Sequence, residues 1–471
     1  MDRSGRVKHP GIILIVVSFF SLATAHASAP PTGTVQNLSV EEALETAYNR
    51  SLDLKVSNLS MQAAKIIFDN AWDTMYMPTI AIDLSSASAY TVGTIPNTPG
   101  RVMADQNFNR GYPASTAALR LGSYTLFNFW RDRLVYDNAR LTYDRAVQRY
   151  YEQKRTIRFR VINTYFRVRV DQEKLDVAKR SLDVANAILN LIKSRQAIGK
   201  ATADEVSSSA VDLLTAKINI GDAEKIAGDD LAALNILLDA NSEQQFHLTS
   251  ELKYTPIKIT AADAFQIYKQ TGPNIRDIGL SLKISEANVE ISEKSRLPLP
   301  TVSFSGVTLA YGNNYTTGST TVNNSNASNP GGQLNVEAAV TMSIPLLGPG
   351  GLLGSRTVAA ARISRDTIEI QATQTSINGE VDIQRRIASL KHDESTIKDL
   401  KESFERNSKI LDSLFEQMSK GTVTRLELRD AILQARSSET SYLDGLAGHL
   451  AEKTALTELL GVDLIPGDII L

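Results

Sequence analysis

KGTVTRLELRDA, residues Lys420 to Ala431, interrupts a long run of helical periodicity, which resumes immediately afterwards. An earlier stretch, IGKATADEVSSSA at residues 198–210, has its glycine, threonine and glutamate in the same order. A constant offset of 222 positions (421 minus 199) pairs the two stretches without a gap, matching Gly199 with Gly421, Thr202 with Thr424 and Glu205 with Glu427. The same offset pairs four apolar residues farther on: Ala233 with Ala455, Leu234 with Leu456, Leu237 with Leu459 and Leu238 with Leu460. The sequence therefore predicts two copies of one unit, each containing two helices joined by a tight turn.

The overall composition argues against several classes of function. The chain of 471 residues has 50 basic and 52 acidic side chains, so its bulk charge gives no reason to expect nucleic-acid binding. Cysteine is absent, which excludes disulfides, thiol catalysis and zinc–thiolate sites. Aromatic residues make up only 6% of the chain. Such a low share is unusual for a compact core and typical of alanine-rich helical coils.

The first 27 residues are typical of a secretory signal peptide. Arg3, Arg6 and Lys8 supply positive charge, an apolar run follows at residues 11–22, and Ala25-His26-Ala27 fits the small-residue pattern before a cleavage site. An uncleaved anchor is the alternative, although the apolar run is short for a membrane span of about 20 residues. No later stretch has about 18 consecutive apolar residues. We therefore expect an exported protein that crosses a membrane, if at all, with strands.

The first unit, residues 28–240, changes its hydrophobic period twice. Residues 38–75 have helical spacing, and Ser39 with Glu42 forms a capping-box pattern at their start. Apolar and polar residues then alternate on both sides of a loop rich in Gly, Pro and Asn, which predicts a strand hairpin at about 78–128. Helical spacing returns from about residue 132, breaks at the turn near Gly199, and continues to about residue 238.

The second unit, residues 261–471, repeats this order after a linker or equatorial region at residues 241–260. Its predicted elements are a helix at 261–294, a strand hairpin at about 300–345, a long helix at 355–420, a turn at 421 and a returning helix at 424–460. The alternation changes phase near Gly306, which predicts a β-bulge. Residues 312–332 are predicted to form a loop because they are rich in Gly, Asn, Ser and Thr.

Four alternating strands are too few to close a barrel within one chain. In lipid every backbone polar group needs a partner, so an open sheet edge has to pair with strands of another copy. Two copies would give eight strands, a barrel filled by its own side chains, whereas three copies would give twelve and leave a lumen. The alternative is a soluble sheet that caps a helical rod, because soluble sheets also alternate.

The ordered pair of units resembles the TolC-like family of outer-membrane efflux proteins over nearly all of the chain after residue 27. The resemblance rests on the doubled order of helix, proline, strand hairpin, long helix, glycine turn and returning helix, and on the closing LTELLGVDL at residues 456–464. It implies an α+β membrane protein: a trimeric 12-stranded β-barrel in the outer membrane of a Gram-negative bacterium, continued by a long α-helical coiled-coil barrel in the periplasm. It also implies the partners of such a homotrimer, namely outer-membrane lipid, a periplasmic adaptor protein and an inner-membrane pump.

No catalytic, cofactor or metal site is predicted. After the signal peptide the histidines are His247, His392 and His449, which are far apart in sequence and form no HExxH or triad pattern. The glycine-rich GPGGLLG at residues 348–354 lacks the Lys-Ser/Thr that follows the glycines of a phosphate-binding loop, and it fits a joint between strand and helix better.

Two acids just after the second turn are the leading candidates for a functional site. Glu427 and Asp430 are three residues apart and share one helix face. The resemblance places two acids at these positions in the periplasmic entrance, where three copies would form a ring of six carboxylates that attracts cations. The alternative is a solvated helix face, since acids near a helix N-terminus are favoured by the helix dipole. Four further charged residues complete the predicted entrance: Asp204, Glu205, Arg425 and Arg429.

The resemblance is incomplete where family members latch the closed entrance with a tyrosine and an arginine. Met418 and Val423 occupy those positions here. We expect Arg425 and Arg429 to pair with Asp204, Glu205 or the ring acids instead. The turns themselves resemble the surface that contacts the adaptor: Ala197, Ile198, Gly199, Lys200, Ser419, Lys420, Gly421 and Thr422.

The sequence thus predicts a passive outer-membrane exit duct of a tripartite efflux or type I secretion system, with no enzymatic reaction and no cofactor. The alternative is a periplasmic or surface coiled-coil scaffold without a pore. The sequence contains no Met/His-rich tract and no aromatic cage, so it does not identify the exported substrate.

Overall fold

The computed structural model describes residues 36–78, 80–87, 114–122, 124–241, 244–312, 314–317, 320–323, 333–344, 346, 355–420 and 422–463. The predicted signal peptide, the glycine-rich segment at 348–354 and Gly421 lie outside these described residues.

Each unit begins with two helices where the sequence predicted one. The first pair is α1 (Val40–Arg50) and α2 (Leu52–Tyr76), and the predicted capping box at Ser39 and Glu42 is confirmed. The chain becomes extended at Ser51, whose hydroxyl accepts a hydrogen bond from the Leu54 N–H and so starts α2. The prediction of one continuous helix was wrong because a serine can end one helix and cap the next without any Gly or Pro.

The second unit breaks in the same way, between α5 (Ala261–Thr271) and α6 (Pro273–Arg296). Gly272 is extended, and Pro273 takes the first helical position of α6, where its missing N–H costs nothing. The sequence did carry this signal, because a proline inside a helical pattern marks a boundary. The prediction of a single helix at residues 261–294 was therefore wrong.

The predicted strands form one antiparallel sheet. Its members are β2 (Ile80–Ala87), β3 (Ala114–Leu121), β4 (Tyr124–Phe127), β6 (Thr301–Gly312) and β9 (Gln333–Ser343). Both β3 and β4 pair with β6, so together they act as one long strand, and β6 also pairs with β9. The register of β6 against β9 shifts between Phe304 and Val307, which confirms the predicted bulge. Within the described residues, β2 and β9 each have a single neighbour and form the two edges of this sheet.

Two small strand pairs were missed by the sequence analysis. A short hairpin of β7 (Asn314–Thr317) and β8 (Thr320–Asn323) lies within the stretch predicted as a loop. Its Tyr, Thr and Val residues favour strands, although the surrounding Gly and Asn residues concealed this. The other pair is parallel, formed by β1 (Gln36–Leu38) and β5 (Phe246–Leu248), which are separated by about half the chain. Pairing over such a distance leaves no local pattern.

In the described part of the chain, four long helices meet in pairs at the two turns, and one helix of each pair comes from the sheet. They are α3 (Arg131–Ala197), α4 (Ala203–Leu237), α7 (Ser355–Lys420) and α8 (Arg425–Leu460). Helix α3 has 67 residues and α7 has 66, so each is about 100 Å long. Within the chain α4 packs on α3, α3 on α8, and α8 on α7.

In the described part of the chain, three buried clusters hold these helices together. The first surrounds Tyr165 of α3, whose hydroxyl donates to the Leu38 carbonyl (2.7 Å) and accepts from the Ser250 N–H (3.0 Å), tying both β1 and the chain after β5 to the helix. The second surrounds Tyr268 of α5 and includes Ile383 of α7 and Leu456 of α8. The third lies near the turns and is described with the candidate site.

The long helices also leave apolar side chains uncovered in a single chain. Ile363, Ile370 and Ile377 follow each other at intervals of seven on α7 and are all exposed. Val211, Leu214 and Ile218 form a similar exposed row on α4. Spacings of three, four and seven are typical of coiled-coil seams. Among the residues described here, no helix combines the length and the apolar character that a membrane span requires.

Gly379 of α7 allows the closest contact in the second cluster. A Cβ at this position would lie 2.2 Å from Cε1 of Tyr268, a buried ring whose hydroxyl donates to the Thr375 carbonyl (3.3 Å). We predict that Gly379→Ala lowers the free energy of unfolding by about 1–3 kcal/mol because the tyrosine has to move. Gly221→Ala is the matched control, since its Cβ would meet no atom within 4 Å. That control should gain up to about 1 kcal/mol from helix propensity. Urea unfolding followed by circular dichroism measures both, and equal effects would contradict the packing argument.

Candidate entrance at the two helix turns

The first turn ends α3 with a Schellman motif. The Lys200 N–H donates to the Arg195 carbonyl (2.8 Å), and the Gly199 N–H donates to the Gln196 carbonyl (2.9 Å). Gly199 has φ +71°, a left-handed conformation that costs glycine little. No atom lies within 4 Å of where its Cβ would be, so the backbone and not close packing requires glycine here. Ala197, the last residue of α3, Ile198 and Lys200 are exposed around this turn.

The second turn is closed by the equivalent hydrogen bond. The Thr422 N–H donates to the Gln417 carbonyl (3.2 Å), which corresponds to the Lys200–Arg195 bond at the offset of 222, and the Thr422 hydroxyl donates to the same carbonyl (3.1 Å). Ser419 and Lys420 are the last two residues of α7. Gly421, which precedes Thr422, lies outside the described residues. The two turns are therefore compared through the Thr422–Gln417 hydrogen bond.

A capping box starts the returning helix at both turns. Glu205 accepts the Thr202 N–H (2.7 Å), and Glu427 accepts the Thr424 N–H (2.9 Å), while each threonine hydroxyl accepts the N–H of its glutamate. The hydrogen bond from the Thr424 backbone, helped by its hydroxyl, lowers the pKa of the exposed Glu427 carboxyl. The capping contribution of Glu427 is thus present above the ordinary pKa of glutamate and is lost as the pH falls through the lowered value. Glu427 therefore has a structural role that the Thr-x-x-Glu pattern would have predicted.

The other two predicted acids, Asp430 and Asp204, are exposed to solvent. Asp430 is 61% exposed and has Arg429 Nε at 3.7 Å from one carboxylate oxygen, so the expected pairing of Arg429 with Asp430 is confirmed. This pair is exposed and contributes little to stability. Asp204 is exposed in the first turn of α4. The structure thus brings Glu427 and Asp430 onto the same first turns of α8, where one carboxylate caps the helix and the other does not.

Arg425 pairs across the bundle with a residue that the sequence analysis missed. Its guanidinium forms an ion pair with Asp212 of α4, and the two side chains are only 15% and 29% exposed. The expectation that Arg425 pairs with Asp204, Glu205 or a ring acid was wrong. Asp212 lies two turns farther along α4, and the packing of both α4 and α8 on α3 brings the two charges together. The pair ties the start of α8 to α4.

Met418 is buried and not displayed at the surface. It packs with Ile188 and Ile192 of α3 and Leu428 of α8 in the third cluster, and its sulfur accepts a contact from Arg195 Nη1 at 3.9 Å. Val423, the other position where the family latch is missing, is half-buried. The residue in place of the family tyrosine therefore acts as apolar packing between α3, α7 and α8.

A cavity of about 280 Å³ lies over α3 between α4 and α8. The guanidinium-bearing residues on its wall are Arg425, Arg429 and Arg436, with Asp212 as the acid. In the described part of the chain no group of three or more His, Cys, Asp or Glu side chains is arranged to hold a metal ion.

We predict a measurable coupling between Arg425 and Asp212. A double-mutant cycle with Arg425→Gln and Asp212→Asn should give about 1 kcal/mol of interaction free energy, since the pair is largely shielded from water. The control cycle uses Arg406 and Glu402, an exposed pair on α7 with side chains 74% and 55% exposed. That pair should couple by less than about 0.5 kcal/mol. Urea unfolding gives both interaction free energies, and a coupling no larger than the control would show that the Arg425–Asp212 pair is not stronger than an exposed ion pair.

Comparison with known proteins identifies relatives in sequence and in fold. Residues 43–239 match the family described as outer membrane efflux protein. The probable efflux pump outer membrane protein TtgC and the antibiotic efflux pump outer membrane protein ArpC, both from Pseudomonas putida, are each 21% identical over 261 residues. The match covers 55% of this chain and 52% of each relative, so the chain spans about half the length of the curated relatives it matches.

Solved structures extend the likeness to almost the whole chain. The CmeC outer membrane channel of Campylobacter jejuni has a TM-score of 0.70 at 15% identity, covering 92% of this chain and 87% of the channel. The outer membrane protein VceC of Vibrio cholerae has a TM-score of 0.69 at 15% identity, covering 90% of this chain and 96% of VceC. The MtrE outer membrane channel of Neisseria gonorrhoeae, solved in an open state, also has a TM-score of 0.69 at 15% identity. At such low identity these matches establish a shared fold.

Proposed function

We propose that this chain, which belongs with the TolC-like outer-membrane efflux proteins in sequence and in fold, is the passive exit duct of a tripartite efflux or type I secretion system. It is an outer-membrane protein of a Gram-negative bacterium whose long helices lie in the periplasm. In the proposed system an inner-membrane pump supplies the energy, and a periplasmic adaptor joins the pump to the helix turns. The duct itself carries out no reaction and uses no cofactor.

The observation that carries this proposal is the apolar surface of the sheet. Ile80 and Ile82 of β2 are 69% and 72% exposed in a single chain, and Val340 and Met342 of β9 are 63% and 66% exposed. A row of large apolar side chains on long antiparallel strands is costly in water and favourable in lipid. The outer-membrane lipid is the partner that fits such a face.

The edges of the same sheet support an assembly of several copies. Strands β2 and β9 each have one neighbour in the described part of the chain, and an edge in lipid needs a second. Pairing β2 of one copy with β9 of the next would close the ring, and three copies would supply twelve strands around a lumen. We therefore propose a homotrimer with a 12-stranded β-barrel.

The helices support a tube below this barrel. The exposed heptad row on α7 and the exposed row on α4 lie on the outermost helices of the order α4, α3, α8, α7 within one chain. Packing α7 of one copy against α4 of the next would cover the row on α4 and close a coiled-coil barrel near the turns. The row on α7 lies farther from the turn than α4 extends, so another helix of the next copy would have to cover it. We propose on the same grounds that residues 28–240 and 261–471 are two tandem structural repeats, joined by the equatorial region at 241–260 and preceded by a signal peptide at 1–27.

The entrance of the duct is proposed to lie at the turns, with Glu427 and Asp430 as its acidic ring. The capping bond holds the Glu427 carboxylate in place and keeps it ionised, and Asp430 stays exposed beside it. Asp204, Glu205 and Arg429 surround this ring. In the absence of the family tyrosine and arginine, we propose that the Arg425–Asp212 ion pair restrains α8 against α4. Residues 197–200 and 419–422 form the proposed adaptor-contacting surface.

The assembly is tested by fractionation and gel electrophoresis. The protein should sediment with outer membranes, and an unboiled sample should run on an SDS gel at about three times the mass of the boiled chain, because strand pairing between copies resists detergent. The competing scaffold without a pore predicts soluble fractionation and a single-chain band before and after boiling. Soluble fractionation, or a single-chain band in the unboiled sample, would contradict the proposed duct.

The acidic ring is tested by conductance in a planar bilayer. The reconstituted protein should prefer cations, and Asp430→Asn combined with Glu427→Gln should reduce that preference because a ring of six carboxylates attracts cations at a constriction. Glu224→Gln in the exposed middle of α4 removes the same type of charge away from the turns and is the control. An unchanged ion preference in the double variant would exclude the proposed ring while leaving the duct intact.

A further inference from the structure

A segment without regular secondary structure crosses the second unit close to His449. This strap, residues 251–259, connects the chain after β5 to α5. It is held to α7 by the Ile257 N–H, which donates to Glu394 Oε1 (2.6 Å), and to α8 by Lys453, whose Nζ donates to the Thr255 hydroxyl (2.5 Å) and carbonyl (3.2 Å). Ile259 extends the contact into the apolar cluster around Tyr268. The strap therefore joins the two units by a few polar bonds to two long helices.

His449 lies at the centre of these bonds and is only 4% exposed. Its ring centroid is 5.2 Å from that of Tyr254 in the strap. Within the described residues its Nε2 atom is buried without a hydrogen-bond partner, and it lies 3.7 Å from Glu394 Oε1. That oxygen is the same atom that receives the Ile257 N–H. A buried, unpartnered imidazole nitrogen in such a position requires an explanation.

The charges that face His449 come from all three surrounding segments. Lys453 is the cation on α8, Glu394 and Asp393 are the acids on α7, and Lys253 lies on the strap. Burial lowers the pKa of His449, Lys453 lowers it further, and the two acids raise it by less. The lowered pKa therefore favours the uncharged imidazole at neutral pH while the helices and the strap are packed together.

We propose that the strap is an acid-releasable clamp on α7 and α8, with His449 as the group that takes up the proton. Protonation gives Nε2 a hydrogen, and the imidazolium then competes with the Ile257 N–H for Glu394 Oε1. It also places a second positive charge beside the buried Lys453, in a site with little access to water. Both effects weaken the attachment of the strap at the same point.

The direction of the pH dependence follows from the lowered pKa of His449. The released strap exposes the imidazole to water, where its pKa returns to the ordinary value, so the released state binds the proton more readily. The clamp is thus fully stable above the ordinary pKa of histidine. It loses stability as the pH falls from that value through the lowered one, and it loses no more below it. A change from neutral to mildly acidic conditions spans this window.

Hydrogen exchange at the Ile257 amide tests the clamp in the full-length protein. Its protection, corrected for the intrinsic pH dependence of exchange, should fall roughly fivefold between about pH 7.5 and about pH 5. His449→Gln cannot take up the proton and should show the same protection at both values. His392→Gln, which removes an exposed histidine of α7, should keep the wild-type response. A wild-type protein without the change, or a full response in His449→Gln, would overturn the proposal.

A second variant keeps the test decisive if His449→Gln does not fold. Lys453→Met removes the positive charge that lowers the pKa of His449, so it should shift the midpoint of the protection change to higher pH. An unshifted midpoint would show that His449 is not the titrating group. Neither measurement depends on the formation of a pore, so these outcomes are separate from those that test the duct.

Discussion

The edge strands of the sheet impose the constraint on which the rest of the structure depends. Within the described residues, β2 and β9 each have a neighbouring strand on one side only, so the backbone groups of their other edge face no second strand of the same chain. The exposed apolar face of the sheet suits lipid and not water. When copies pair edge to edge within a membrane, the edge strands gain their second neighbours and the apolar face is covered by lipid. In the proposed assembly the long helices pack around the same axis as the barrel, and the turns lie at the far end of a tube, about 100 Å from the sheet.

Most of the secondary structure could be predicted because hydrophobic periodicity is a strong local signal. Helix α3 was expected over 132–198 and spans Arg131–Ala197, and the bulge near Gly306 appears as a shifted register of β6 against β9. The errors arose where the signal is weak or distant. Ser51 ends a helix without Gly or Pro, and the parallel pairing of β1 with β5 joins segments separated by about 200 residues in sequence.

The candidate site likewise combines roles that the sequence predicts with contacts that it does not. The capping roles of Glu205 and Glu427 depend only on a threonine three residues earlier, so they are readable from sequence. From the sequence, acids at the second turn are instead interpreted as entrance residues or as part of a solvated helix face. The partner of Arg425 is not readable, because Asp212 is 213 residues away and the contact depends on how α4 and α8 pack around α3. The strap around His449 is equally hidden. Its sequence has no periodicity, and its attachment uses side chains from two distant helices.

Cross-linking between the two sheet edges tests the assembly most directly. The chain has no native cysteine, so Ala81→Cys in β2 and Thr341→Cys in β9 introduce the only thiols. Within one chain these strands are separated by two others, about 14 Å at the usual strand spacing, which is beyond a shorter bis-maleimide linker. The account predicts covalent species of two and three chains in outer membranes and none larger. Products confined to one chain, or a ladder that continues past three, would contradict it.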